Sequence, residues 1–211
     1  MHPLLPVLIA AADGSFPPVD GRVTYLPAHD DGLESIVSFT GHAYVSSRLG
    51  SEHLADLKPD GLGAVLNPEI QLRMAGPEGS TGVIDVTMVA RGVGGGTLPR
   101  RHDLDDHPRV RYARSLRRAV AVYGSDEGLI TIGVGLAGRS EMSIETSGDG
   151  ARGRALIHEA LKLSPSGKPL FAAVSPGNAR SLRAFLACGF TPIGSEVIIR
   201  PAERPGARGV Q

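Results

Sequence analysis

Six residues, Gly148-Asp149-Gly150-Ala151-Arg152-Gly153, stand between a strand-like run, EMSIET at 141–146, and a helix-like run, RALIHEALKL at 154–163. A second strand-like run, PLFAAV, follows at 169–174. A glycine turn that opens a helix lets backbone approach a ligand closely, and the helix start presents N–H groups and the positive end of its dipole. The chemistry this suits is holding an anion, and a pyrophosphate above all. Arg152 and Arg154 add positive charge beside it.

Gly148, Gly150 and Gly153 literally match the dinucleotide fingerprint G-x-G-x-x-G, but two features of the chain oppose that reading. The fingerprint expects an acidic residue about 20 positions on to hold a ribose hydroxyl, and there is no Asp or Glu between Ala160 and Ser195. Too few elements also remain downstream to complete a doubly wound sheet.

A helix and a strand downstream frame this loop. SPGNARSLRAFLACGFTPIGSEVII, 175–199, reads as a capped helix and a strand. Asn178 is a good N-cap, Leu182, Phe185 and Leu186 share one helical face, and Gly189 is a C-terminal stop. Together with the loop, this stretch resembles the GCN5-related N-acetyltransferase (GNAT) family over about residues 118–200. The family binds acetyl-CoA at a (Q/R)-x-x-G-x-(G/A) loop and carries an N-x-x-(A/S)-(I/L)…G-F helix. The matching residues here are Asn178, Ser181, Leu182, Gly189 and Phe190. Leu156 and Ile157, three and four positions after Gly153, set the register of the loop. Ala151 then stands at the family's middle glycine, and Gly148 where Arg or Gln is usual.

The resemblance implies a mixed α/β fold: a mostly antiparallel sheet flanked by helices, with an additional N-terminal α+β region. It implies acetyl-CoA as cosubstrate, lying beside splayed strands EMSIET and PLFAAV. The pyrophosphate would rest on Gly148, Asp149, Gly150, Ala151, Arg152, Gly153 and Arg154, with Asn178, Ser181 and Phe185 completing the cofactor site. It also implies direct transfer of the acetyl group to an amine, without a covalent enzyme intermediate. The acceptor is open: antibiotic, polyamine, amino acid, peptide N-terminus or protein lysine.

Position 185, seven residues after Asn178, often carries in the family a Tyr that protonates the departing thiolate. Phenylalanine has no dissociable proton. The alternative function is therefore a non-catalytic acyl-CoA-binding or scaffolding protein. For the acceptor's proton, Glu145 is the first candidate base and Glu141 the second, because EMSIET alternates Glu141, Ser143 and Glu145 against Met142 and Ile144. Their bland reading is a solvated strand face. Cys188, the only cysteine, reads as a small buried apolar residue.

The rest of the chain limits the function classes. With 22 basic and 22 acidic residues the net charge is zero, so neither nucleic acid nor an anionic membrane finds an electrostatic footprint. A small-molecule or peptide amine is the expected partner, and a homodimer is left open. One cysteine excludes an internal disulfide framework and fits a reducing, cytoplasmic setting. The apolar run PLLPVLIAAA is too short for a bilayer and reads as a short buried helix.

Residues 1–115 form the N-terminal α+β region, the natural place to define the acceptor; 116–200 form the acetyl-CoA-binding domain, and 201–211 a flexible tail. Strands are expected at RVTYLP, SIVSFTGHAYVSS and GVIDVTMVA, and RRAVAVYGSDEGLITIGVGLAG reads as two antiparallel strands. Gly92-Val93-Gly94-Gly95-Gly96 reads as a mobile loop rather than a phosphate cradle, since Pro99 prevents a clean helix start. His102, Asp103, Asp105, Asp106 and His107 have metal-ligand types, but five neighbouring arginines oppose a cation, so a hydrogen-bonded loop and no metal is expected. His42 reads as a hydrogen-bonded core histidine, with a minor claim to be a base.

Overall fold

A computed structural model describes residues 1–125, 128–146 and 150–202. It is mixed α/β, with mostly antiparallel strand pairs and, among the described residues, five α-helices. The chain divides into two compact units. One comprises Met1–Ser15 and Val86–Ile193, the other Phe16–Asp85 and the chain from Gly194 on. The division predicted at 115/116 falls inside the first unit. That unit is discontinuous because long-range strand pairing, which no local pattern records, joins distant segments.

The first unit begins with α1 (Leu4–Ala12), whose Leu4, Leu8 and Ala11 are buried at helical spacing. Arg91 holds its end by bonding Ala12 O and the Asp13 carboxylate. The remaining elements of this unit are β5 (Asp85–Arg91), α3 (Pro108–Leu116), β6 (Arg118–Ser125), β7 (Gly128–Val134), β8 (Ser140–Glu145), α4 (Gly150–Leu163), β9 (Pro169–Val174) and α5 (Ala179–Ala187). β6, β7 and β8 form an antiparallel meander, as the glycine turn between the first two predicts. β9 is antiparallel to β5. β8 and β9 run parallel.

Leu156, Ile157, Ala160 and Leu161 recur with helical period on α4 and are buried against Met142, Leu170 and Phe185 in the main core of this unit. The 92–96 glycine run is tied to α4 by backbone hydrogen bonds. Val93 N, Gly94 N and Gly96 N donate to the carbonyls of Leu161, Ser164 and Lys162, capping the C-terminus of α4. Gly94 and Gly95 adopt positive φ (77° and 79°), which glycine tolerates best.

The second unit contains β1 (Val23–Leu26), β2 (Glu34–Phe39), β3 (His42–Ser46), α2 (Pro68–Ala75), β4 (Ser80–Thr81) and most of β10 (Thr191–Arg200). SIVSFTGHAYVSS is two strands rather than one, turning at Thr40-Gly41 with Gly41 at φ 72°. β1 pairs with β3 in parallel, while β2–β3, β2–β10 and β4–β10 are antiparallel. Ile36, Val45, Ile70, Met74, Val197 and their neighbours fill its core. Among the described residues, no helix is long and apolar enough to cross a membrane.

Candidate functional site

β8 and β9 share one parallel ladder pair among the described residues, Glu141 with Phe171, near the start of β8. Beyond it the strands continue toward their C-terminal ends without further pairing. Helices α4 and α5 flank this gap, and a cleft of about 140 Å³ opens there, a volume suited to a slender chain. Its walls are Ile144, Glu145 and Thr146 from β8 and its end, Gly153 and Ile157 from α4, Asn178, Ser181 and Phe185 from α5 and its cap, with Arg109 at the rim.

The sequence logic of each wall is local. Asn178 Oδ1 accepts the Ser181 N–H at 3.1 Å, the predicted N-cap bond, and thereby sets the start of α5. Gly189 follows the helix at φ 85°. Gly153 is buried, and a Cβ there would lie 4.0 Å from Ile144 Cδ1 and Thr146 Cγ2, so the glycine keeps this wall low. Phe185 is 4% exposed and packs edge-on against Phe190 at 4.8 Å between centroids. It forms an apolar wall of the cleft. Leu186, predicted on the same face, is 51% exposed and points elsewhere.

Of the predicted cofactor-loop residues, Gly148 and Asp149 lie outside the described residues. Gly150, Ala151, Arg152, Gly153 and Arg154 form the first turns of α4, with the positive end of the helix dipole beside the cleft. Ala151, Arg152 and Arg154 are exposed. Arg154, Arg180 and Arg183 line an adjoining hollow along α5, and Arg180 lines the cleft as well.

Glu145 ends β8 at the rim. Its Oε2 accepts from Arg109 Nε at 3.0 Å, and its Oε1 lies 3.9 Å from His107 Nε2. His107 Nδ1 accepts the Arg109 N–H at 3.2 Å as the N-cap of α3. An Nδ1 that accepts must be unprotonated in neutral imidazole, so Nε2 carries the hydrogen and faces Glu145. Glu145 and Thr146 also line a second cleft of about 320 Å³ with Arg101, Leu104, His107 and Leu129. The two clefts thus share one wall. No local pattern marks Arg109 and His107 as neighbours of Glu145, because α3 reaches the end of β8 only through tertiary packing.

Glu141 is on the same face of β8 but is no solvated residue. It is 3% exposed and lies between two guanidinium groups, accepting from Arg117 Nε at 2.7 Å and from Arg139 Nη2 at 2.7 Å. Burial pushes its carboxyl up, but the charges and hydrogen bonds of Arg139 and Arg117 outweigh that and hold it down at about 2. A carboxylate held so firmly ionised is a poor proton acceptor at neutral pH. Arg117 Nη1 also donates to Thr131 and Ser143, so this polar face is a closed network beneath the cleft. Glu141 positions β8.

The other candidates resolve structurally. Cys188 is buried, and burial pushes its thiol up, as expected of a packing residue. Asp103 pairs with Arg101, Asp105 with Arg114, and His107 caps α3, which makes the 102–107 stretch a hydrogen-bonded loop. Among the described residues there is no group of three metal-ligating side chains. No protein-family model matches the chain, and no curated protein matches it.

Proposed function

We propose that this chain is an acetyl-CoA-dependent N-acetyltransferase of the GNAT type, passing an acetyl group directly to an amine. The observation that carries the reading is the parting of parallel strands β8 and β9 after Glu141–Phe171, with a narrow cleft between β8, α4 and α5 at the gap. That cleft brings together Gly153, Asn178, Ser181 and Phe185, residues named from the loop and helix motifs alone. A thioester arm would lie along Phe185, with its phosphates toward the start of α4 and the hollow of Arg154, Arg180 and Arg183.

The acceptor would enter by the second cleft and meet the thioester at the shared wall. The amine nitrogen attacks the carbonyl carbon, the C–S bond breaks, and Glu145 takes the amine's proton directly or through water. CoA leaves as thiolate, which a solution-like thiol pKa of about 8.5 makes tolerable without an acid at position 185. Phe185 favours one second reading, an acyl-CoA-binding protein that transfers nothing.

Thermal unfolding with CoA tests the reading. Ligand at 100 times its dissociation constant should stabilise by about 2.7 kcal/mol. Gly153→Ala should retain the shift, whereas Gly153→Asp, which sets a carboxylate in the cleft, should abolish it. No shift at millimolar CoA rejects the cofactor. A shift without thiol release across an amine panel selects the non-catalytic reading.

A further inference from the structure

The second unit holds a chain of three side chains that the acetyltransferase reading does not use. Asp20 Oδ1 lies 2.8 Å from His42 Nδ1, and His42 Nε2 lies 3.0 Å from Thr24 Oγ1. Asp20 also accepts the Arg22 N–H at 2.9 Å, a bond that with His42 favours its ionised form. An ionised carboxylate accepts only, so Nδ1 carries the hydrogen, and in the neutral ring Nε2 then presents its lone pair to the Thr24 hydroxyl. Hydroxyl, imidazole and carboxylate therefore stand in the order of nucleophile, base and orienting group.

The backbone builds this order. β1 and β3 run parallel with Thr24 opposite Tyr44, which places Thr24 and His42 on one face, since side chains repeat every second residue. Asp20 N and Gly21 N donate to Gly41 O, drawing the Asp20 bend beside the start of β3. Gly21 and Gly41 both adopt positive φ, and a Cβ on Gly41 would collide with the Val19 side chain. His42 is nearly closed off and Thr24 half-buried.

A second, independent observation is the apolar surface around the chain of three. Phe16, Val19 and Leu62 are 51%, 72% and 73% exposed. Val19 packs over Gly41, Leu62 Cδ1 comes within 4.0 Å of where a Gly21 Cβ would lie, and Phe16 stacks edge-on against Phe39. Phe39 in turn meets Tyr44, whose ring is 5.0 Å from that of His42. Large apolar side chains clustered in solvent mark a binding surface.

We propose that Thr24, His42 and Asp20 form an acyl-transfer site that hydrolyses esters with an apolar body, separate from the acetyl-CoA cleft. Thr24 Oγ1 attacks the ester carbonyl while His42 Nε2 takes its proton. The C–O bond to the alcohol breaks, and His42 returns the proton to that alcohol. Water, deprotonated by His42, then splits the acyl-threonine to a carboxylic acid and regenerates Thr24. Asp20 holds the imidazole tautomer through both steps and acts as a positioning residue.

The test uses the full chain without CoA and p-nitrophenyl butyrate as probe. Wild type should release nitrophenol above buffer rate and carry a butyryl group on the peptide containing Thr24, found by mass spectrometry. Thr24→Val keeps the shape and should lower the rate by about 100-fold or more, as should His42→Gln. Thr24→Ser should retain activity and report on folding. Asp20→Asn should lower the rate and shift the pH profile. Hydrolysis at buffer rate by wild type, a label confined to other residues, or full activity in folded Thr24→Val overturns the proposal.

Discussion

Arg109 Nε and Glu145 Oε2 meet at 3.0 Å, linking α3 to the end of β8 at the wall shared by two clefts. The pair is exposed, so it contributes at most about 1 kcal/mol to stability. Its importance is positional: one carboxylate oxygen is held by the guanidinium while the other faces His107. Glu145→Gln should lower turnover by about 100-fold or more and leave the CoA-induced melting shift unchanged. Unchanged turnover in that variant would remove Glu145 from the chemistry.

Phe185 is expected to serve as wall and not as acid. Phe185→Leu loses the ring contact with Phe190 but keeps an apolar side chain, so it should cost less than truncation to Ala and keep most of the turnover. Phe185→Ala leaves a cavity and should cost about 3 to 5 kcal/mol. Urea unfolding and steady-state kinetics on the same preparations separate the two effects. Loss of turnover in folded, CoA-binding Phe185→Leu would contradict the role.

Glu141 makes acid stability predictable. Its native pKa of about 2 lies below the unfolded carboxylate value of about 4.3. The stability it contributes is complete above the unfolded value and is lost as pH falls through the native one, between about pH 5 and 2. Glu141→Gln removes the carboxylate charge that Arg117 and Arg139 share, costing about 3 to 5 kcal/mol near neutrality. Its stability should also fall less steeply over that acid window in urea titrations at stepped pH.

Gly96 tests the cap on α4. A Cβ there would come within 2.7 Å of Leu163 N and 2.8 Å of Lys162 C, backbone atoms that have little room to retreat. Gly96→Ala should therefore cost about 1 to 3 kcal/mol through overpacking. At Gly95 nothing lies within 4 Å, so Gly95→Ala carries only the left-handed backbone penalty of about 1 to 2 kcal/mol. Thermal melts that rank Gly95→Ala well below Gly96→Ala in stability would refute the packing account.

The features legible in the sequence are those that neighbouring residues settle among themselves. The Asn178 cap and the Gly189 stop define α5, periodic Leu156, Ile157, Ala160 and Leu161 define the buried face of α4, and alternation sends Met142 and Glu141 to opposite faces of β8. Capping and periodicity act over one or two turns, so they are written in consecutive residues. What meets the polar face and the end of β8 depends on the tertiary fold. Glu141 reads as solvated although Arg139 stands two positions before it, because its second partner, Arg117, is 24 positions away and its burial has no local signature. Arg109 reaches Glu145 across 36 positions, the 92–96 amides close on α4, and His42 stands between Asp20 and Thr24. A polar side chain's chemistry follows from its partner and its exposure, and in this chain strand pairing and helix packing bring the partners together from distant segments.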